Sequence, residues 1–201
     1  MSLNIDIVGP ERLVDYARVP IAFEVSRRLS VDLIDDGIGG IGLREEEVSP
    51  SYVKDYDASA EGGPDRWNER FDIRNFVVLL ALQNGIPVGG ATLVHSTESL
   101  HVLAGRMDMA ALWDIRVRPE YRRDGIGTTL FRFASDWARD KGFKTLKIET
   151  QNINVPACRF YLKQGCRLGE INRYAYAADP SAAHEVMLVW YLELSPAGEL
   201  R

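Results

Sequence analysis

A chain of 201 residues, 46% of them apolar and 26% charged, is long enough to bury a real core and too ordinary in composition to be fibrous or disordered. Its net charge of −5 argues against general nucleic-acid binding, and no apolar run reaches the roughly 18 residues of a membrane span. Two cysteines, Cys158 and Cys166, cannot build a disulfide framework. With an N-terminal stretch, residues 1–6, that has neither a basic nor an apolar region, they predict a cytoplasmic protein that does not engage membranes.

Leu3–Val8 alternates apolar and polar residues and predicts a strand, broken by Gly9-Pro10. Residues 10–18 predict a short helix, ended by Pro20. Ala22, Val25, Leu29 and Leu33 fall on one helical stripe and predict a second helix. Residues 36–42 hold four glycines and predict a loop. Residues 44–72 are polar, acidic and interrupted by Pro50 and Gly62-Gly63-Pro64, so mostly irregular structure is expected there. Residues 75–83 and 87–95 predict two strands joined by a hairpin at Asn84-Gly85. After a turn region at 96–107, residues 109–117 predict a further strand that Pro119 ends. Residues 124–141 predict the longest helix, with Ile126, Leu130, Phe133, Ala134, Trp137 and Ala138 on its apolar face and Gly142 as its stop. A strand at 145–150, a short helix at 155–163 stopped by Gly165, and closing strands at 167–176 and 185–194 complete the chain.

Charge is unevenly spread. Residues 32–72 contain twelve acids, from Asp32 through Glu61 to Asp72, and four bases. Acidic runs are usually solvated, but one on an otherwise mildly basic body also suits a site that receives a cation.

The densest chemical pattern lies at 112–130, which reads Leu-Trp-Asp-Ile-Arg-Val-Arg-Pro-Glu-Tyr-Arg-Arg-Asp-Gly-Ile-Gly-Thr-Thr-Leu. Gly125 and Gly127 open a helix directly after a strand. Glycine lets backbone N–H groups approach a ligand closely, and a helix N-terminus favours anions. Arg122 and Arg123 add positive charge beside them. The combination describes a phosphate cradle, although a glycine turn that merely starts a helix is the alternative. A Walker A loop is excluded because no Gly-Lys-Ser/Thr triplet follows. A dinucleotide fingerprint is excluded because its third glycine position is Leu130.

Arg122-x-x-Gly125-x-Gly127, just after Val117-x-Pro119, resembles the pyrophosphate-binding motif of the GNAT superfamily of N-acetyltransferases. A second element of that family, Asn154-x-x-Ala157-x-x-x-Tyr161, follows the strand Leu146-Lys147-Ile148-Glu149. The resemblance covers roughly residues 75–194. It implies an α/β (α+β) fold with a mixed central sheet, splayed between its fourth and fifth strands and flanked by helices. Residues 1–201 would then form one domain, with 35–72 an acidic loop region on its substrate side. It further implies acetyl-CoA as cofactor and a homodimer as a common assembly. A narrower resemblance, to streptothricin (nourseothricin) acetyltransferases, rests on Val53-Lys54-Asp55-Tyr56-Asp57, Glu149-Thr150-Gln151-Asn152 and Val155-Pro156-Ala157-Cys158. Those enzymes acetylate an amine on the β-lysine part of the antibiotic and so confer resistance.

By this resemblance Tyr161 protonates the coenzyme sulfur, which a phenol titrating near pH ~10 can do at neutral pH. Glu149 and Asp114 are the candidate bases, each with a structural ion pair as the alternative role. The cofactor residues are Ile115, Arg116 and Val117 on the strand, Arg122 to Thr128 (with Asp124 and Ile126) on the loop and helix start, and Asn154, Ala157 and Tyr161. Main-chain groups of Ile115 and Val117 would bind the acetyl and pantetheine portions. Asp124 departs from the family pattern: its carboxylate would repel phosphate unless it caps the helix. Asp55, Tyr56, Asp57, Trp113 and Glu149 are the candidates to meet a small cationic amine. Cys158 and Cys166 lack the partners of a zinc site, and no metal is expected. Two other activities fit the same residues: a protein or peptide N-acetyltransferase, and a non-catalytic acyl-CoA sensor.

Overall fold

In the computed structural model, which describes residues 3–58, 62–97 and 100–194, the elements in chain order are β1 (Leu3–Val8), α1 (Leu13–Ala17), β2 (Phe23–Ile34), β3 (Gly40–Lys54), α2 (Trp67–Arg70), β4 (Phe76–Gln83), β5 (Ile86–His95), β6 (Met109–Val117), α3 (Ile126–Asp140), β7 (Thr145–Gln151), α4 (Val155–Lys163), β8 (Arg167–Asn172) and β9 (Met187–Glu193). Met1, Ser2, residues 98–99 and the acid Glu61 lie outside the described residues. No helix among them is long and apolar enough to cross a membrane. The chain divides into two compact units. The first comprises Met1–Ala22, Asp55–Ile148 and Tyr191–Arg201, the second Phe23–Lys54 and Glu149–Trp190.

In the first unit β1, β4, β5 and β6 are antiparallel neighbours in that order, and β7 joins β6 in parallel. The β4–β5 hairpin forms as the sequence predicts, because Asn84 and Gly85 take the two left-handed conformations, φ 51° and 77°, that a two-residue turn requires. The apolar runs of β4 and β5 bury Leu79, Leu80, Leu93 and Val94 completely. α3 packs against β5 and β6. Its buried face is Ile126, Leu130, Phe131, Ala134 and Ala138, whereas the expected Phe133 is exposed and Trp137 only half-buried.

The β6–β7 ladder runs from Met109↔Thr145 to Leu112↔Ile148, and β6 continues beyond it to Val117. These are the fourth and fifth strands of the seven-stranded order. β6 also carries a bulge. Its register with β5 passes from Thr92↔Asp114 to Leu93↔Leu112, leaving Trp113 as the extra residue. A bulge re-aims the side chains around it.

In the second unit the order continues β7, β9, β8. Here the sequence expectations need correction. Residues 23–34 are a strand, not a helix, and 40–54 are its antiparallel partner, not irregular chain. The register holds from Arg27↔Glu47 to Ile34↔Gly40, with a shift beyond Arg27 to Val25↔Tyr52. Cross-strand charges match this register. Arg28 meets Glu46 at 3.2 Å, Arg27 meets Glu45 at 2.8 Å, and Arg44 meets Asp32 at 3.0 Å. Four of the twelve acids, Asp32 on β2 and Glu45, Glu46 and Glu47 on β3, thus belong to ion pairs of this ribbon. β8 ends at Asn172, four residues before the expected end, and the chain turns there.

Candidate active site

Beyond β6 the chain passes Pro119 and reaches the motif loop. Arg122 turns its guanidinium back onto the loop's own frame, donating from Nε to the Val117 carbonyl (3.1 Å) and from Nη2 to the Ala22 carbonyl (3.0 Å). Burial, opposed only by Glu120, lowers its pKa from the ordinary arginine value. Arg123 and Gly125 both adopt left-handed backbone, φ 74° and 83°. Alternation of this kind turns successive N–H groups to one side, as an anion nest does. Gly125 is the N-cap of α3, no side chain caps it, and no acid lies in the first turn. Asp124 is exposed and does not cap the helix, so the compensation its sequence position suggests is not made. The first-turn amides of Ile126, Gly127 and Thr128 therefore lack intrahelical partners. Ile126 turns its side chain into the core. This cradle fits a pyrophosphate: backbone donors, a helix dipole and the exposed Arg123.

The strand before the loop holds the other candidates of the first unit. Asp114 is not a free carboxylate. It accepts from Arg116 through both oxygens, at 2.9 and 2.6 Å, and from the Tyr16 hydroxyl at 2.6 Å. Burial first, and Asp114 second, hold the Tyr16 phenol protonated, its pKa well above the ordinary 10. Burial also works against the charge on Arg116, but Asp114 and Asp57 outweigh it and its pKa is raised. The Arg116 side chain therefore faces inward, and only its main chain is available to a cofactor. Asp57 accepts from the same guanidinium at 2.6 and 3.1 Å. Asp55 is exposed and accepts from the Asp57 backbone N–H at 3.0 Å, and Tyr56 is half-buried. Trp113 packs edge-on against Phe71, ring centres 5.5 Å apart, and against Phe76 at 6.0 Å.

The second unit holds the remaining candidates. Glu149 is exposed, and its Oε1 accepts from the Tyr176 hydroxyl at 2.9 Å. The Gln151 amide donates in turn to the Tyr176 oxygen at 2.9 Å. Asn154 caps α4, its Oδ1 accepting from the Ala157 N–H at 3.2 Å. Tyr161 is buried on the same helix, its ring 5.5 Å from that of Phe160. Cys158 and Cys166 are buried, and burial pushes both thiols up to about 12. Neither is a nucleophile at neutral pH.

Sequence reasoning missed Tyr16 and Tyr176, which hold the two candidate bases, and the inward role of the Arg116 side chain. The one available signal was Asp114-x-Arg116 on a strand, which places both side chains on one face. Nothing local announces Tyr16 or Tyr176, because they lie 98 and 27 residues from their partners.

A mixed, mostly antiparallel sheet whose fourth strand outruns its parallel partner, followed by a glycine-opened helix with arginines at its mouth, defines the N-acetyltransferase class of fold. The chain belongs to the acetyltransferase (GNAT) family, whose model matches residues 43–166. It is 36% identical over 94 residues to streptothricin acetyltransferase A of Bacillus subtilis (strain 168), covering 43% of this chain and 54% of that protein. The match thus spans about half the length of that relative. It is 32% identical over 146 residues to a streptothricin acetyltransferase of Streptomyces lavendulae, covering 72% of this chain and 70% of that protein. Among solved structures, one from Bacillus anthracis str. Ames in complex with acetyl coenzyme A, described as a candidate streptothricin acetyltransferase, superposes with a TM-score of 0.75. It is 28% identical and covers 97% of this chain and 99% of its own.

Proposed function

We propose that the protein transfers an acetyl group from acetyl-CoA to a primary amine of a small cationic acceptor, a streptothricin-type antibiotic being the favoured one. The observation that carries the reading is the uncapped start of α3, with left-handed Arg123 and Gly125 aiming backbone donors at an anion. The Streptomyces and Bacillus relatives support the choice of acceptor.

In this reaction the acyl donor supplies an activated thioester. The loop Arg122–Thr128 holds its pyrophosphate through the amides of Gly125, Ile126, Gly127 and Thr128, with Arg123 adding charge and Arg122 bracing the loop. Main-chain groups of Ile115, Arg116 and Val117 align the acetyl and pantetheine portions, and Asn154 and Ala157 meet the arm. The acceptor ammonium must lose a proton before its nitrogen can attack. Glu149 takes it: this carboxylate is exposed and held by one phenol, whereas Asp114 is committed to Arg116 and Tyr16. As the C–N bond forms and the C–S bond breaks, Tyr161 gives its proton to the departing sulfur, and the second proton shed by the acylated nitrogen restores the phenol. Asp55, Tyr56 and Asp57, with Trp113, form the acceptor-side segment, whose carboxylates suit a polycation.

Thiol release from acetyl-CoA with streptothricin, spermidine, an aminoglycoside and a peptide amine as acceptors tests this. Rapid release with streptothricin is expected, and Tyr161→Phe should lower kcat by about 10²-fold or more. Release with the peptide amine alone would replace the small-molecule assignment. Acetyl-CoA binding without release would make the protein a sensor.

A further inference from the structure

The mechanism above gives the buried Arg116 side chain no part. Every donor nitrogen of the Arg116 guanidinium is engaged. Nε and Nη2 meet Asp114, Nη1 and Nη2 meet Asp57, and Nη1 also meets the Val19 carbonyl at 3.1 Å. The side chain is 1% exposed, against 7% for Asp114 and 26% for Asp57. The Tyr16 ring lies 5.2 Å from the guanidinium carbon, and Gly90 makes room for that ring, since a Cβ on residue 90 would stand 2.3 Å from its Cε2.

The three acceptors differ in what holds them. Asp114 sits in β6, paired with β5. Val19 follows α1, its own N–H bonded to the Tyr16 carbonyl at 3.0 Å. Asp57 lies in the turn after β3, outside any ladder. A planar fork that binds two carboxylates fixes direction as well as distance. The guanidinium thus reaches from a strand paired within the sheet to a stretch that the sheet does not hold. The Asp57 N–H bond to Asp55 Oδ1 carries that constraint across Tyr56.

We propose that Arg116 is a positioning residue for acceptor selectivity. It clasps Asp57 against Asp114 and thereby sets where Tyr56 and Asp55 meet the cationic acceptor. Asp57 is then an anchor for the acceptor-side segment and not itself the contact. The inference rests on the reading that residues 55–57 serve the acceptor.

Asp57→Asn tests it with little change of shape, and Asp57→Ala removes the anchor entirely. Arg116→Lys keeps the charge but loses the fork; should it fail to fold, the Asp57 variants still decide. Three quantities are read on the full chain: hydrogen exchange over residues 54–58, KM for whichever panel amine the unaltered protein acetylates, and KM for acetyl-CoA. The expected result is faster exchange over 54–58, an acceptor KM raised about tenfold, and an acetyl-CoA KM within about twofold of the unaltered protein. Unchanged exchange overturns the clasp. Faster exchange with an unchanged acceptor KM overturns its role in selectivity, and so does an equal rise in both KM values. Absence of turnover by the unaltered protein on every amine brings down the transfer reaction and this role with it, a failure seen before any variant is made.

Discussion

Arg116 in the first unit and Arg28 in the second are the same side chain in opposite circumstances. The Arg116–Asp114 pair is nearly sealed, at 1% and 7% exposed, while Arg28 and Glu46 are 49% and 26% exposed. Water solvates and screens the second pair, which then gains little by meeting. It cannot reach the first, where each charge depends on its partners and removal of one strands the others. A ladder of exposed pairs selects a register and keeps a two-stranded ribbon soluble. A buried clasp dictates which segments of chain belong together.

The largest effect expected from that contrast is in Arg116→Met. It leaves Asp114 and Asp57 without their counter-charge and should cost about 3–5 kcal/mol in urea unfolding. Arg28→Met, on the ribbon, should move the midpoint by no measurable amount. Equal losses in the two variants would end the distinction drawn between them. A smaller loss is expected from Gly90→Ala. Its φ is not in the left-handed range, so the added methyl matters only through the Tyr16 ring and the Leu79 carbonyl, 2.3 and 2.8 Å from a Cβ. Overpacking of this kind costs about 1–3 kcal/mol. If the clasp depends on Tyr16 lying under Arg116, Gly90→Ala should also speed exchange over residues 54–58, whereas a merely local strain would leave those amides alone.

The same contrast explains what could be read from the sequence. β4, β5, β6, α3, β7 and α4 were legible because each carries its evidence within itself: an apolar run, a hairpin dipeptide, a 3.6-residue stripe, a glycine stop. The phosphate loop was legible because its chemistry is contiguous. β2 was misread because Ala22, Val25, Leu29 and Leu33 satisfy a helical period, while Phe23, Val25, Leu29, Val31 and Leu33 satisfy a strand period as well. What the stretch itself does not show is its partner strand, where Glu45, Glu46 and Arg44 meet Arg27, Arg28 and Asp32 from another stretch of chain. Residues 40–54 looked irregular for the same reason, since a strand that buries little shows little apolar alternation. At the site, Asp114 and Asp57 were visible as acids. That both are held by Arg116 was not, because one partner is two residues away and the other fifty-nine.

His95 provides a third case, a half-buried titratable group with no acid paired to it among the described residues, and the smallest effect. Its ring lies 5.4 Å from that of Trp137 and 5.5 Å from that of Phe143. Its Nδ1 is buried without a hydrogen-bond partner among the described residues. Burial first, and then the charge of Lys141, lower its pKa from 6.5. The unfolded chain takes up the proton near pH ~6.5, while the folded chain resists it to lower pH. The stability due to neutral His95 is therefore fully present above the unfolded pKa and is lost as pH falls through the folded one. Melting temperature should decline as pH is lowered from about 7.5 to 5, a window above most carboxylate titrations. His95→Phe, which keeps the ring contacts and cannot be protonated, should decline less. Parallel curves for the two proteins would mean that His95 accepts a proton without leaving its aromatic neighbours. Burial without a partner would then not be what separates the ribbon's tolerant charges from the intolerant interior.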